Sequence, residues 1–205
     1  MDPSAPARSG RSGRFDPRTA LIVVDVQNDF ADPAGSLAVA GAERVLAAVD
    51  ELVAEASAAG ALVAYTQDWH PAHTPHFAQD GGTWPVHCVA GTWGASFHPG
   101  LTVAGPVVRK GAHGEDGYSG FMMRDPISGE TVPTGLASLL EGHGIVRLVV
   151  VGLATDYCVK ASVLDGLSLG YAVRVPREAV AAVDLRPGDG DRALEEMELA
   201  GARLA

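Results

Sequence analysis

Cys158 is the residue of this chain with the clearest capacity for covalent chemistry. It follows an aliphatic run, residues 148–151, that is typical of a strand buried on both faces of a parallel sheet. Thr155 and Asp156 are favourable helix N-caps, and apolar residues recur at helical spacing after Tyr157. The pattern predicts Cys158 in the first turn of a helix, where free N–H groups and the helix dipole stabilise a thiolate or an oxyanion. The alternative is a small buried hydrophobe, because free cysteines are usually buried.

Two further predicted strands end in a charged residue. Residues 19–25 end in Asp25, and residues 106–110 end in Lys110. The carboxyl ends of parallel strands share one edge of an open α/β sheet, and such sheets bind ligands at that edge. We therefore favour a functional acid at Asp25 over a structural acid that caps a loop. Lys110 is one of only two lysines among 15 basic side chains, which favours a functional cation over a surface ion pair.

The loop from Asp68 to His87 has the composition of a metal site. It holds four of the seven histidines in the chain, which are His70, His73, His76 and His87. Asp68 and His70 are two residues apart, so an extended backbone directs both side chains the same way. One carboxylate with two or three imidazoles suits one divalent ion such as Zn, Fe or Mn, and an open coordination position would make the site functional. The alternatives are a polar surface loop and, for Cys88, packing rather than ligation.

Alternating helix and strand patterns must position these residues. Additional strands are predicted at residues 61–68, 171–175 and 178–183, and helices at residues 42–59, 134–142 and 191–200 and in the segment after Cys158. Strand–helix–strand units form right-handed crossovers. The expected fold is thus α/β, a three-layer sandwich with a central, mostly parallel six-stranded sheet flanked by helices. Residues 111–124 are Gly-rich and predict a flexible loop that lacks the ending of a phosphate-binding loop.

The bulk composition limits the class of partner. The chain has 205 residues, of which 47% are hydrophobic, enough for one domain with a large core. A formal charge of −10 disfavours nucleic acid and anionic membranes as partners. Two cysteines fit a cytoplasmic location better than a disulfide framework, and no apolar run approaches membrane-spanning length. Residues 1–16 predict a disordered tail, and residues 17–205 a single domain.

Several motifs, in their order and wording, resemble the isochorismatase-like cysteine hydrolases, and specifically their nicotinamidase/pyrazinamidase branch. The matching segments run from the first strand almost to the final predicted helix. They are VDVQNDF (24–30), GSLAV (35–39), DWH (68–70), WPVHCVAGTWGASFHP (84–99), RKG (109–111), YSGF (118–121) and GLATDYCV (152–159). The segment HGED at 113–116 matches no motif of the family, so the pocket shape beside Lys110 is not predicted.

The resemblance implies a role for each matching residue. Cys158 corresponds to the nucleophile, Asp25 to the acid that takes the thiol proton and passes it to leaving ammonia, and Lys110 to the lysine that holds both. The implied metal ligands are Asp68, His70 and His87, with His76 as a fourth ligand found in some members. The implied pocket residues around a pyridine ring are Phe30, Trp84 and Tyr118. The implied oxyanion donors are the N–H groups of Ala154 and Cys158, and the Leu153–Ala154 peptide is implied to be cis.

The activity that the resemblance implies is hydrolysis of nicotinamide to nicotinate and ammonia through a Cys158 thioester. One divalent ion would bind the ring nitrogen and orient this small-molecule substrate. The identity of the metal and a homo-oligomeric state are left open. Two alternatives remain, which are a related hydrolase acting on another small amide or on a vinyl ether, and a non-catalytic metal-binding domain.

Overall fold

A parallel β-sheet organises residues 14–205, the part of the chain that the computed structural model describes. In chain order the elements are β1 (Thr19–Val24), α1 (Asn28–Ala31), α2 (Ala42–Ala58), β2 (Leu62–Asp68), β3 (Val107–Lys110), β4 (Met122–Arg124), β5 (Thr131–Pro133), α3 (Leu136–Gly142), β6 (Arg147–Leu153), α4 (Lys160–Ser168), β7 (Ala172–Val175), β8 (Val180–Ala181), α5 (Asp189–Leu199) and β9 (Arg203–Leu204). A π-helical turn, Thr155–Val159, leads into α4, and single 3-10 turns lie at Ala78–Asp80 and Arg177–Ala179.

The sheet has seven strands in the order β3-β2-β1-β6-β7-β9, with β8 beside β6. Every pairing in it is parallel. The predicted sheet of six mostly parallel strands is therefore confirmed in type and extended by one edge strand. That strand is β9, where Arg203 and Leu204 pair with Arg174 and Val175. Two residues are too few to show a strand periodicity, so the sequence gives no indication of β9.

Helices cover both faces of the sheet, and the alternation of β1 shows why. Successive side chains of a strand point to opposite faces, and all six residues of β1 are buried. Leu21 and Val23 pack in the cluster that contains the apolar face of α2. Ala20 and Ile22 pack in the opposite cluster, with residues of α3, α4 and α5. A strand buried on both faces needs a continuous aliphatic sequence, which is what this strand has.

The order of the strands reverses between β1 and β6. From β1 the chain moves outward to β2 and β3, whereas from β6 it moves the other way to β7 and β9. Such a reversal leaves a crevice at the carboxyl ends of the two central strands. Gly152 lets β6 lie close to β1 there, since a Cβ at this position would lie 2.1 Å from the Val24 carbonyl oxygen. Asp25 and Cys158 follow these two strands and so face the crevice.

The predicted boundaries change at several places. Residues 178–183 form the Arg177–Ala179 turn and the two-residue strand β8 rather than one long strand. The Gly-rich stretch 111–124 ends in β4, which forms an antiparallel hairpin with β5. Of the predicted tail, residues 1–13 lie outside the described residues, whereas Phe15 is buried and Asp16 accepts hydrogen bonds from Thr19 and Arg147. Among residues 14–205, no helix is long and apolar enough to cross a lipid bilayer.

Candidate active site

Asp25, Lys110 and Cys158 come together at the carboxyl edge of the sheet. The Lys110 Nζ atom lies 2.8 Å from Asp25 Oδ2 and 3.5 Å from Cys158 Sγ. It also donates to the Tyr118 carbonyl at 3.1 Å and lies 2.9 Å from Asp68 Oδ1. The relative exposure is 0% for Asp25, 1% for Lys110 and 7% for Cys158. The lysine therefore fixes the acid and the thiol relative to each other in a site almost closed to water.

Two effects set the protonation states of Asp25, Asp68 and Lys110. One is burial, and the other is the position of the Lys110 ammonium between the two carboxylates. Burial raises the pKa of Asp25 more than the Lys110 cation lowers it. Burial also opposes ionisation of Asp68, yet Lys110 and His70 hold the pKa of Asp68 well below its usual range. For Lys110, burial is outweighed by Asp25 and Asp68, which raise its pKa well above normal. Asp68 and Lys110 are thus charged at neutral pH, and Asp25 is the carboxyl group suited to exchange a proton.

Burial opposes the thiolate that the helix-start position of Cys158 favours. Burial raises the pKa of Cys158 well above its ordinary value, against the opposing effect of Lys110. Cys158 does lie in the first turn of the helical segment, as predicted, because the π-helical turn Thr155–Val159 leads directly into α4. A neutral thiol must give up its proton during attack, so the site needs an adjacent base.

Thr66 contacts that base, and sequence reasoning missed it. Its hydroxyl donates to Asp25 Oδ1 at 2.7 Å, and the pair is buried. The Asp25 backbone has φ 47°, in the left-handed region that non-glycine residues rarely adopt. Such conformations concentrate at functional sites. The only sequence indication of a role for Thr66 was a hydroxyl residue in an otherwise mainly apolar strand, β2.

The histidines of the 68–87 loop separate into a cluster and an outlier. His70, His76 and His87 are buried, and each offers a ring nitrogen within 4.8 Å of the others. His73 is exposed and pairs with Asp80, so it stands apart from this cluster. Asp68 links the cluster to the trio, because its Oδ2 lies 3.9 Å from His70 Nε2 and its Oδ1 faces Lys110.

The donor set fits a divalent metal ion. Both ring nitrogens of His70 are buried and have no hydrogen-bond partner among residues 14–205, a costly arrangement that a bound cation would relieve. His76 Nδ1 lies 2.7 Å from Asp116 Oδ1, and His87 Nδ1 lies 2.7 Å from the Pro85 carbonyl. Because these oxygens only accept, each Nδ1 carries the hydrogen and each Nε2 keeps its lone pair. Burial lowers the pKa of His87 to about 4, which keeps this ring neutral and able to ligate.

A cavity lined by Cys158 and by two of the cluster histidines, His76 and His87, joins the thiol to the histidine cluster. The predicted pocket residues Phe30, Trp84 and Tyr118 all line it. Trp84 Nε1 donates to Tyr118 Oη at 2.9 Å, which holds these two rings edge to face. Five further lining residues were missed, namely Leu37, Gly117, Leu153, Tyr157 and Val183. Aliphatic wall residues have no sequence feature that separates them from core residues.

The turn that carries the thiol also lines the cavity, at Ala154 and Cys158. The Leu153–Ala154 peptide is cis, as the resemblance implied. Asp156 does not act as the predicted N-cap: its carboxylate accepts from the Val183 N–H at 3.0 Å and the Asp184 N–H at 2.9 Å. It therefore ties the thiol turn to the segment that forms the far wall of the cavity.

Asp29 and Cys88 hold the loops around the site. Asp29 Oδ2 accepts from the Cys88 N–H at 2.7 Å, and Asp29 Oδ1 accepts from the Ser36 N–H at 3.1 Å. The Cys88 side chain is fully buried, as expected for packing. This connection fixes the backbone next to His87.

The parallel α/β sheet and the buried acid–lysine–thiol arrangement at its switch point define the general class as a hydrolytic enzyme. The chain belongs to the isochorismatase family, since the Isochorismatase domain matches residues 19–205. It is 38% identical to the nicotinamidase of Escherichia coli (strain K12), over 92% of this chain and 94% of that protein. Because this similarity extends over most of both chains, the chain is an amidohydrolase.

Solved structures agree with this assignment. The pyrazinamidase of Pyrococcus horikoshii in complex with zinc superposes with a TM-score of 0.82 at 38% identity, covering 92% of this chain and 99% of that one. PnC1 from L. infantum in complex with nicotinate gives a TM-score of 0.84 at 34% identity, covering 93% and 94%.

Proposed function

We propose that the chain is a metal-dependent nicotinamidase that converts nicotinamide and water into nicotinate and ammonia. The observation that carries the proposal is that Cys158 lines the same aromatic-lined cavity as Asp68, His76 and His87. Lys110 connects the Cys158 sulfur to the buried Asp25 carboxylate behind it. Nicotinate, which the L. infantum structure binds, is the acid that this hydrolysis would release. The E. coli relative carries the name of the same activity.

Acylation uses the neutral thiol and the adjacent acid. The Cys158 sulfur attacks the carboxamide carbon while its proton moves to Asp25, whose raised pKa suits proton uptake. The C–N bond then breaks, the proton passes from Asp25 to the nitrogen, and ammonia leaves a thioester on Cys158. Lys110 keeps the acid and the sulfur in place throughout, since it contacts both.

Deacylation repeats the proton transfer with water. Asp25 takes a proton from the attacking water, the C–S bond breaks, and the sulfur recovers a proton as nicotinate forms. The N–H groups of Ala154 and Cys158, on the turn beside the sulfur, are the proposed donors to the oxyanion of both tetrahedral intermediates. Phe30, Trp84 and Tyr118 would enclose the pyridine ring.

Asp68, His70, His76 and His87 would hold the divalent ion, for which Zn, Fe and Mn are all suitable. When bound, the ion supplies a Lewis-acidic position that a ring nitrogen can ligate, so that the carboxamide is oriented toward Cys158. The zinc in the P. horikoshii pyrazinamidase supports a metal in this family.

Ammonia release from nicotinamide tests the proposal. The wild type should turn over, and Cys158→Ala should lose activity by about 10⁴-fold or more, on the scale seen when a covalent nucleophile is removed. Cys88→Ser is the matched control, because Cys88 is also buried but lies outside the cavity. Mass spectrometry of quenched wild type should detect an acyl adduct on the peptide that contains Cys158.

Two results would contradict parts of the proposal. Turnover that survives complete removal of metal by a chelator would refute the metal dependence while leaving the thiol chemistry intact. A metal-loaded wild type that releases no ammonia from nicotinamide would refute the substrate and direct attention to other small amides.

A further inference from the structure

Asp116 is the side chain that holds His76. Its Oδ1 lies 2.7 Å from His76 Nδ1 and also accepts from the Gly117 N–H at 2.8 Å. The Asp116 backbone is fixed in turn, since it exchanges two hydrogen bonds with Arg124, at 2.8 and 2.6 Å. The carboxylate is therefore presented from a braced position in the loop before β4, 40 residues along the chain from His76.

We propose that Asp116 is a positioning residue that makes His76 a metal ligand. The inference rests on the metal site in the proposed function and adds a residue to which neither the family resemblance nor the sequence pattern gave a role. Asp116 lies in the HGED segment, the part of the chain that departs from the family motifs.

The ring of His76 has two orientations that place a nitrogen toward the cluster, and Asp116 selects one. A carboxylate can only accept, so it fixes the hydrogen on Nδ1 and leaves the lone pair on Nε2, the ring nitrogen free to ligate within the cluster. In this orientation the His70 and His76 rings stack at 4.9 Å between centroids.

The other histidines of the loop show what the carboxylate adds. His87 Nδ1 donates to the Pro85 carbonyl, a main-chain group two residues away in its own loop. His73, only three residues before His76, pairs with Asp80 instead, and its side chain is 79% exposed. His76 is thus the histidine whose orientation depends on a second loop, the one that also brings the Tyr118 carbonyl to Lys110.

The test is the zinc affinity of the metal-free protein, measured by competition with a chromophoric chelator. Asp116→Ala should weaken zinc binding about 10–100-fold, the usual cost of losing such a partner. Asp116→Asn should weaken it less, because the amide oxygen can still accept from Nδ1. Glu130→Gln is the control: it removes one negative charge from an exposed position just before β5 and should leave the affinity unchanged.

A double variant separates positioning through His76 from a general electrostatic effect. If Asp116 acts through His76, then Asp116→Ala should change nothing further in a His76→Ala background. Thermal unfolding of each metal-free variant checks the fold, which half-exposed Asp116 should barely affect.

Three outcomes would overturn the inference. The inference is refuted, and the metal site stands, if Asp116→Ala binds zinc with wild-type affinity. The same holds if Asp116→Ala weakens zinc binding as much in the His76→Ala background as it does in the wild type. Wild type that binds no zinc refutes the metal part of the proposed function and this inference with it.

Discussion

Thr66→Val should move the acid limb of the pH–activity profile to higher pH. Valine keeps the shape of the buried side chain but removes the hydroxyl that donates to Asp25 Oδ1 at 2.7 Å. That hydrogen bond lowers the pKa of Asp25 and so counteracts part of the effect of burial. Without it the pKa of Asp25 rises further, and a smaller fraction of the enzyme carries the ionised base at mildly acidic pH.

The size of the effect follows from the charge of the acceptor. A hydrogen bond to an ionised group is worth about 1.5–3 kcal/mol, and one to a neutral group about 0.5–1.5 kcal/mol. The difference, about 1–1.5 kcal/mol, corresponds to roughly a tenfold change in the ratio of ionised to protonated Asp25. On the acid side, kcat/KM should therefore fall about tenfold, whereas the plateau at higher pH should be little changed.

Thr66→Val should also lower the free energy of unfolding, by an amount that depends on pH. A carboxyl group whose folded pKa is raised stabilises the fold below its unfolded pKa, and this contribution is lost as pH rises through the folded pKa. Thr66→Val should thus be most destabilising at pH values above the folded pKa of Asp25, where the charged acceptor has lost its donor. Urea unfolding at several pH values measures this.

Thr66→Ser is the control, since it retains the hydroxyl and loses a methyl group that packs beside Gly120. It should keep the wild-type acid limb at a cost in stability of about 1 kcal/mol. If the serine and valine variants share one acid limb, then the Thr66 hydroxyl does not control Asp25 and the reasoning is wrong.

Three further perturbations address the wall, the crevice and the metal centre. Asp156→Asn replaces one of the two carboxylate oxygens that face the Val183 and Asp184 N–H groups; it should cost about 1–3 kcal/mol in urea unfolding and raise KM more than it lowers kcat. Gly152→Ala places a Cβ 2.1 Å from the Val24 carbonyl oxygen at φ +111°, so it should lower the free energy of unfolding by about 1–3 kcal/mol or more. Gly142→Ala is its control: the glycine has open space around it, and the alanine should raise the free energy of unfolding by about 0.5–1 kcal/mol. Thermal unfolding measures both. Zinc at 100 times its Kd should stabilise the fold by about 2.7 kcal/mol, and His70→Ala should abolish that gain; equal stabilisation in the variant would place the metal elsewhere.

The parts of the site that follow aliphatic strands could be predicted from the sequence. Asp25 and Cys158 follow β1 and β6, both continuous apolar runs that mark central strands, and the switch point brings their ends together. The grouping of three histidines beside Asp68 also followed from local composition. In these cases the determining pattern lies within a few residues of the functional side chain.

The remaining parts depend on contacts between distant segments. The Asp116–His76 bond spans 40 residues and requires the hairpin to brace Asp116, which no local pattern reveals. The position of Asp156 before a helix predicts an N-cap, but its carboxylate accepts hydrogen bonds from the N–H groups of Val183 and Asp184 instead. The raised pKa of the Cys158 thiol depends on burial, a tertiary property that the local pattern around Cys158 does not show.

Burial of both cysteines turns thiol labelling into a probe of unfolding. General alkylating reagents attack thiolates, and Cys158 is a neutral thiol with 7% exposure, while Cys88 is fully enclosed and burial raises its pKa as well. The native protein should therefore react slowly with a bulky maleimide, which does not fit the cavity, and gain two adducts when it unfolds. A small flat electrophile that fits the cavity is the exception, because it would meet the Cys158 sulfur with Asp25 ready to take the proton. Shape, rather than intrinsic thiol reactivity, then selects which reagents label the native enzyme.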